Sequence, residues 1–117
     1  MRKTAIICNG CEPHNLFPTF ILGSAAAAMG DEVILFFTPG GASALVKGEL
    51  EKIEAKGMPE MRELVHGLQA LGGRILVCDL CLEAKDLQEE ELLDGIEIVG
   101  VTSFLADTQD ATRTFSF

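Results

Sequence analysis

The stretch Arg74-Ile75-Leu76-Val77-Cys78-Asp79-Leu80-Cys81 decides the fold class and contains the most informative residues of the chain. An apolar run follows Arg74 and ends in polar residues, which is typical of a short strand buried on both faces. A short helix is predicted from Leu80 to Asp86, with Asp79 as its cap. The stretch therefore predicts a strand–helix unit of a parallel sheet, with a Cys-x-x-Cys pair at the junction.

The same alternation extends along the chain on both sides of this unit. The predicted strands are Lys3–Cys8, Val33–Phe37, Arg74–Cys78, Ile96–Val99 and Thr112–Phe117. The predicted helices are Leu16–Met29 (capped by Asn15), Ala42–Ala55, Pro59–Leu71, Leu80–Asp86 and Ser103–Asp110. Because strands alternate with helices, the sequence predicts an α/β fold. We expect one domain over residues 1–117, a three-layer α/β/α sandwich with a mostly parallel five-stranded sheet, flavodoxin-like in appearance.

Composition excludes several classes of function. Of the 117 residues, 48% are hydrophobic, so the chain can form a core without disulfides. The net charge of −9 and the scattered basic residues argue against binding to nucleic acid. The apolar segment Leu16–Met29 is shorter than the roughly 20 residues that a membrane-spanning helix needs. The sequence predicts a cytoplasmic protein, whose cysteines are kept reduced.

All four cysteines lie in two Cys-x-x-Cys pairs, Cys8–Cys11 and Cys78–Cys81, and each pair follows a predicted strand. In open parallel sheets, ligands bind beyond the carboxyl ends of the strands, so both pairs are predicted to lie at the functional edge. The free N–H groups at a helix start favour a thiolate. A lowered pKa is therefore expected for Cys78 or Cys81.

The spacing of the cysteines leaves several chemistries open. One thiol can transfer sulfur as a nucleophile, or either pair can cycle between dithiol and disulfide. All four thiols can hold one zinc ion if the first and third strands are neighbours. The four thiols can also be inert and buried. His14 is a candidate base or cation beside a thiolate, although a histidine in a loop is more often a simple polar residue.

The predicted helix Leu16–Met29 is apolar on every side, and Ala25–Ala28 give it a smooth surface of small residues. A helix on the outside of a sheet normally has a polar face. We therefore expect another copy of the chain to cover this helix, which predicts a homo-oligomer.

The order of several segments resembles the DsrE/DsrF-like family, in particular a branch often labelled "predicted peroxiredoxin". The segments that carry the resemblance are Phe17–Leu22, Ala26–Val33, Leu35–Thr38, Lys56–Pro59, Gly73–Cys78, Asp94–Ile98 and Gly100–Leu105. The resemblance covers nearly the whole chain, and its most specific feature is the cysteine after the third strand.

This resemblance implies an oligomeric α/β/α sandwich that works in sulfur relay. The family's sulfur-carrying cysteine falls on Cys78, which implies a persulfide at that position and activity of the sulfurtransferase kind. Cys81, Cys8 and Cys11 depart from the family pattern, and Cys81 or Cys11 is a candidate resolving thiol. The expected partners are sulfur donor and acceptor proteins. A sulfur carrier needs no cofactor, whereas the four-cysteine alternative needs zinc.

Overall fold

The computed structural model describes residues 2–117 and contains a five-stranded sheet in which every strand pair is parallel. The strands are β1 (Lys3–Cys8), β2 (Glu32–Phe37), β3 (Arg74–Cys78), β4 (Ile96–Val99) and β5 (Arg113–Ser116). Their order across the sheet is β4-β3-β2-β1-β5, so β2 lies at the centre, between β1 and β3. The predicted α/β class and the parallel sheet are confirmed.

Five helices connect the strands. They are α1 (Pro13–Ala28), α2 (Pro39–Ala42), α3 (Met61–Ala70), α4 (Asp79–Ala84) and α5 (Val101–Thr108). Short 3₁₀ turns occupy Ser43–Leu45, Leu50–Lys52 and Glu89–Glu91. Within residues 2–117, no helix has the length and apolar character needed to span a membrane.

The helices cover the two faces of the sheet unequally. On one face, Phe20 of α1 packs on Phe37 of β2 with ring centroids 5.9 Å apart. Helices α1 and α3 lie side by side on this face. On the other face, Phe104 of α5 stacks on Phe36 of β2 at 4.2 Å. Phe104 is the only buried residue of α5, so the second layer is thin.

Helix α5 is attached to the sheet by charged groups near its C-terminal end. Lys3 Nζ donates to the carbonyl oxygen of Asp107 at 2.6 Å and to Asp110 Oδ1 at 2.7 Å. Arg74 donates to Asp107 Oδ2 at 3.4 Å, and it also forms a paired ion bridge with Glu97 of β4. One aromatic stack and this group of charges therefore hold α5 in place.

The predicted helix Ala42–Ala55 is wrong. This part of the chain folds instead into α2, two 3₁₀ turns and irregular backbone, with Gly48 at a φ of 86°. The competing interactions come from the segment before β4. Lys47 N bonds to Glu91 O at 2.8 Å, and Leu93 N bonds to Leu45 O at 2.9 Å. Pairing with this distant segment replaces the local hydrogen bonds of a helix.

Several other helix boundaries differ from the prediction. Helix α1 begins at Pro13, because the side chains of Glu12 and Asn15 form a capping box ahead of the residue predicted to start it. Helix α3 begins at Met61 rather than at Pro59, and α5 begins at Val101.

The apolar helix α1 is less exposed than its sequence predicts. Gly23 allows α1 to approach both the sheet and α3, because a Cβ there would lie 3.2 Å from Leu35 and 3.7 Å from Leu68. Ser24 Oγ donates to Leu64 O at 3.0 Å. Helix α3 of the same chain thus covers part of the surface that we assigned to another copy. The homo-oligomer stays a prediction.

Asp31 joins two strands at the amino edge of the sheet. Its side chain is 0% exposed, and its Oδ2 accepts hydrogen bonds from Thr4 of β1 and from Arg113 of β5. Arg2 Nε lies 3.2 Å from Oδ1. The hydrogen bond from Arg113, and then the one from Thr4, hold the pKa of Asp31 below its usual range. The ionised carboxylate therefore stabilises the folded chain.

We expect Asp31→Asn to lower the urea midpoint of unfolding at pH 7, because it removes the charge that Arg113 and Arg2 face. The folded pKa is depressed, so this stabilisation is present above the unfolded pKa of about 3.9 and is lost as the pH falls through the folded value. Urea unfolding of both proteins from pH 7 to pH 3 measures the difference, which should shrink below about pH 4. Asp94→Asn, at an exposed position, is the control. A difference independent of pH would contradict this role of Asp31.

Candidate functional site

The carboxyl edge of the sheet holds both cysteine pairs, as predicted. Cys8 is the last residue of β1 and Cys78 is the last residue of β3. Cys11 lies in the loop before α1, and Cys81 lies in the first turn of α4. All four thiols are free.

The two pairs lie apart because of the strand order and the direction of their side chains. β2 separates β1 from β3, so the first and third strands are not neighbours. Cys8 is in register with Phe37, which is in register with Val77, so these three side chains share one face of the sheet. Cys78 follows Val77 in the same strand and therefore points to the opposite face.

This separation bears on the four-cysteine zinc hypothesis. Within residues 2–117, no group of three or more His, Cys, Asp or Glu side chains is arranged to hold a metal ion. A tetrahedral site on Cys8, Cys11, Cys78 and Cys81 therefore requires both loops to rearrange around the end of β2.

Cys78 and Cys81 form a compact dithiol at the start of α4. Cys78 is the N-cap residue and Cys81 is the third helical residue, and in this arrangement the two side chains are adjacent. Cys78 Sγ lies 3.7 Å from Asp79 Oδ1, and Cys81 Sγ lies 3.7 Å from Phe37 O. Both thiols are covered, with exposures of 4% for Cys78 and 0% for Cys81.

One expectation about this junction is wrong, and another is wrong for Cys81. Asp79 does not cap α4, because Cys78 occupies the N-cap position and Asp79 is the first helical residue. The pKa of Cys81 is not lowered. Burial, and after it the adjacent Cys78 side chain, raises the pKa of Cys81 to about 11. Cys81 is therefore a protonated thiol at neutral pH.

Cys8 and Cys11 have different environments. Cys8 is 0% exposed, and its Sγ lies 3.4 Å from Gly10 O and 3.8 Å from Asn15 O. Burial raises the pKa of the Cys8 thiol, although the Thr19 hydroxyl and the Gly10 backbone oppose part of that effect. Cys11 is partly exposed, and its Sγ lies 3.2 Å from Gly40 O. Of the four thiols, Cys11 is therefore the one that solvent reaches most easily.

The loop after β2 contacts both cysteine loops. Thr38 N bonds to Cys8 O at 3.2 Å, and Thr38 Oγ1 lies 3.0 Å from Asn9 Oδ1. A Cβ on Gly40 would lie 2.0 Å from Asn9 O, and one on Gly41 would lie 2.8 Å from Cys8 O. The sequence predicts a tight turn at Asn9-Gly10 and a loop over Thr38–Gly41 at this edge. The glycines of that loop are the signal for the close backbone approach.

His14, the candidate base, is the second residue of α1 and its side chain is exposed. No side-chain hydrogen bond connects it to another group among the described residues, the four cysteines included. Its role as a base stays a prediction.

We expect Gly40→Ala to lower the free energy of unfolding by about 1–3 kcal/mol, because the new methyl group would overlap the backbone carbonyl of Asn9. Gly67→Ala is the matched control, since a Cβ at this helical position meets nothing within 4 Å. It should raise the free energy of unfolding by about 0.4–1 kcal/mol. Urea unfolding of both variants measures the two effects, and equal changes of the same sign would contradict the proposed packing.

Two proteins of known sequence are similar to this chain. The sulfur carrier protein DsrE2 of Allochromatium vinosum is 24% identical, and the match covers 88% of this chain and 90% of that protein. The protein MJ0760 of Methanocaldococcus jannaschii is 32% identical over 89 residues, which are 76% of this chain. The chain spans only 32% of the length of that relative.

Solved structures share the fold. The ychN protein from E. coli superimposes with a TM-score of 0.80 at 22% identity, over 100% of both chains. The protein MTH1491 from Methanobacterium thermoautotrophicum superimposes with a TM-score of 0.68 at 14% identity, over 98% of this chain and 97% of that one. At the level of sequence, the model of the DsrE/DsrF-like family matches residues 1–117. The chain therefore belongs to the DsrE/DsrF-like family.

Proposed function

We propose that this protein is a sulfur carrier that holds a sulfane sulfur as a persulfide on Cys78. The observation that carries the proposal is the position of Cys78, at the carboxyl end of an interior strand and at the start of a helix. Membership of a sulfur-relay family, with a sulfur carrier among the relatives, supports the same chemistry.

The transfer needs one nucleophile and no cofactor. The Cys78 thiolate attacks the outer sulfur of a donor persulfide, the sulfur–sulfur bond of the donor breaks, and the donor leaves as a thiolate. Cys78 then carries the outer sulfur. An acceptor thiolate attacks that same outer sulfur, forms a new persulfide and releases Cys78 as a thiolate. The activity is thus of the sulfurtransferase kind.

Cys81 has a different role in this proposal from the one its spacing predicts. A resolving thiol attacks as a thiolate, whereas burial keeps Cys81 protonated at neutral pH. The neighbouring thiol therefore leaves the persulfide on Cys78 intact. A carrier has to retain its sulfur between donor and acceptor, so a slow resolving thiol suits the function.

Apolar side chains at the same edge provide a surface for a donor or acceptor protein. Leu80 of α4 is 63% exposed, and Val101 and Leu105 of α5 are 47% and 60% exposed. Helices α4 and α5 begin at the ends of the neighbouring strands β3 and β4, which brings Leu80 and Val101 to the edge where Cys78 lies. Exposed apolar groups of this kind mark contact sites for other proteins, and they also suit contact with a second copy.

We expect Cys78 to be necessary for stable sulfur loading. Reduced Cys11→Ser protein is incubated with a small-molecule persulfide, and its intact mass is then measured under denaturing conditions. It should gain one sulfur atom that a thiol reductant removes, whereas Cys11→Ser/Cys78→Ser should gain none. Peptide mapping should place the added sulfur on Cys78. Full loading of the double variant would refute the proposal.

The lifetime of the loaded sulfur should depend on pH through Cys81. The pKa of about 11 means that the thiolate fraction of Cys81, and with it the release of hydrogen sulfide, should rise about tenfold per pH unit below that value. Cys81→Ala should remove this alkaline loss and the Cys78–Cys81 disulfide that accompanies it. Sulfide release from loaded Cys11→Ser protein between pH 7 and pH 10, with and without Cys81→Ala, measures the effect. Identical profiles would contradict a resolving step by Cys81.

A further inference from the structure

The pair Cys8–Cys11 is a second dithiol that the proposed function does not use. Its two thiols differ in access, since Cys8 is fully buried at the end of β1 and Cys11 is partly exposed in the loop that follows. An accessible thiol beside a buried one is the arrangement in which one sulfur reacts with a substrate and the other closes the disulfide.

The short loop that joins the two thiols is packed on both sides. Only Asn9 and Gly10 separate them along the chain. The side chain of Asn15 packs on Gly10, where a Cβ would lie 2.3 Å from Asn15 Oδ1, so there is no room for a side chain on that side of the turn. Gly40 closes the other side, with its backbone against Asn9 O and its carbonyl oxygen 3.2 Å from Cys11 Sγ.

The groups around Cys8 shift the pKa of its thiol, which separates the roles of Cys8 and Cys11. Burial raises the pKa of the Cys8 thiol, and the neighbouring Cys11 adds a smaller effect in the same direction. Cys11 is also the partly exposed thiol of the pair, so it is the one that a substrate reaches first. At Cys8 the Thr19 hydroxyl and the Gly10 backbone oppose the effect of burial on the pKa. At Cys81 the Cys78 side chain adds to burial and only the Cys78 backbone opposes it. Cys8 differs from Cys81 in these hydrogen bonds, so the slow resolving step inferred for Cys81 is not carried over to Cys8.

We propose that Cys8 and Cys11 form a second reactive centre, which reduces a sulfane sulfur to hydrogen sulfide and ends as a Cys8–Cys11 disulfide. The Cys11 thiolate attacks the outer sulfur of a small-molecule persulfide, whose sulfur–sulfur bond breaks to release a thiolate. Cys8 then attacks Cys11 Sγ, a disulfide forms and hydrosulfide leaves. In total, one persulfide and two cysteine thiols give one thiol, one hydrogen sulfide and one disulfide. The two electrons come from the cysteine pair.

This centre shares the substrate class of the proposed function but not its cysteine. Cys8 and Cys78, the strand residues of the two pairs, point to opposite faces of the sheet, on either side of β2. Retained sulfur reports on Cys78, whereas released sulfide and a new disulfide report on Cys8 and Cys11. A negative result for one proposal would therefore leave the other untouched.

The test uses full-length Cys78→Ser/Cys81→Ala protein, reduced and freed of reductant. It is treated at neutral pH with one equivalent of glutathione persulfide, and thiols, intact mass and hydrogen sulfide are measured. We expect the loss of two thiols per chain, a mass lower by two hydrogen atoms, and one hydrogen sulfide per chain above a protein-free blank. Unchanged thiols, or a sulfur atom retained on the protein, would overturn the proposal.

Two further variants of that protein separate the roles of the thiols. With Cys8→Ala, we expect one sulfur to accumulate on Cys11 and the release of sulfide to fall to the blank. With Cys11→Ser, neither the added sulfur nor the sulfide should appear. Because Cys11 is partly exposed, this second variant keeps the test decisive if the buried Cys8→Ala substitution impairs folding. Sulfide release that survives Cys11→Ser would refute the assignment of Cys11 as the attacking thiol.

Discussion

The contact of the Gly40–Gly41 backbone with the carbonyl groups of Cys8 and Asn9 is the constraint on which the candidate site depends. Any side chain at Gly40 would overlap the neighbouring backbone, so the loop after β2 can only sit against the loop after β1 because it has none. Phe37, the last residue of β2, contacts the other pair, because its carbonyl oxygen lies 3.7 Å from Cys81 Sγ. The end of β2 and the loop that follows it therefore contact both cysteine pairs.

The alternation of side chains along a strand explains why the two pairs differ. Cys8 and Cys78 both end parallel strands, yet the pairing register turns Cys8 towards the layer of α1 and α3 and Cys78 towards the layer of α5. Each pair thus has its own neighbours, its own degree of burial and its own route from solvent. Two motifs that look alike in sequence become two chemically distinct sites in the fold.

Features that depend on neighbouring residues could be predicted from the sequence, whereas features that depend on contacts between distant residues could not. The strands and the edge position of the cysteines depend on short apolar runs and on the geometry of parallel sheets, so residues such as Val77 and Cys78 were placed correctly. The segment after Ala42 was not, because Leu45 and Lys47 pair with residues more than 40 positions away. The raised pKa of Cys81 was also beyond the sequence, since its burial depends on packing against the end of β2. Strand order, which separates the two pairs, has no local signature at all.

The unequal layers of the sandwich have a consequence for local opening. Helix α5 buries one side chain, and the stack of Phe104 on Phe36 is worth about 0.5–1.5 kcal/mol beyond its buried area. Its remaining attachments include ion pairs at exposed or partly exposed groups, which contribute little and weaken as salt is added. The α5 layer therefore has a lower opening free energy than the α1–α3 layer. Ionic strength can regulate how often the Cys78 face meets solvent while the rest of the sheet stays folded.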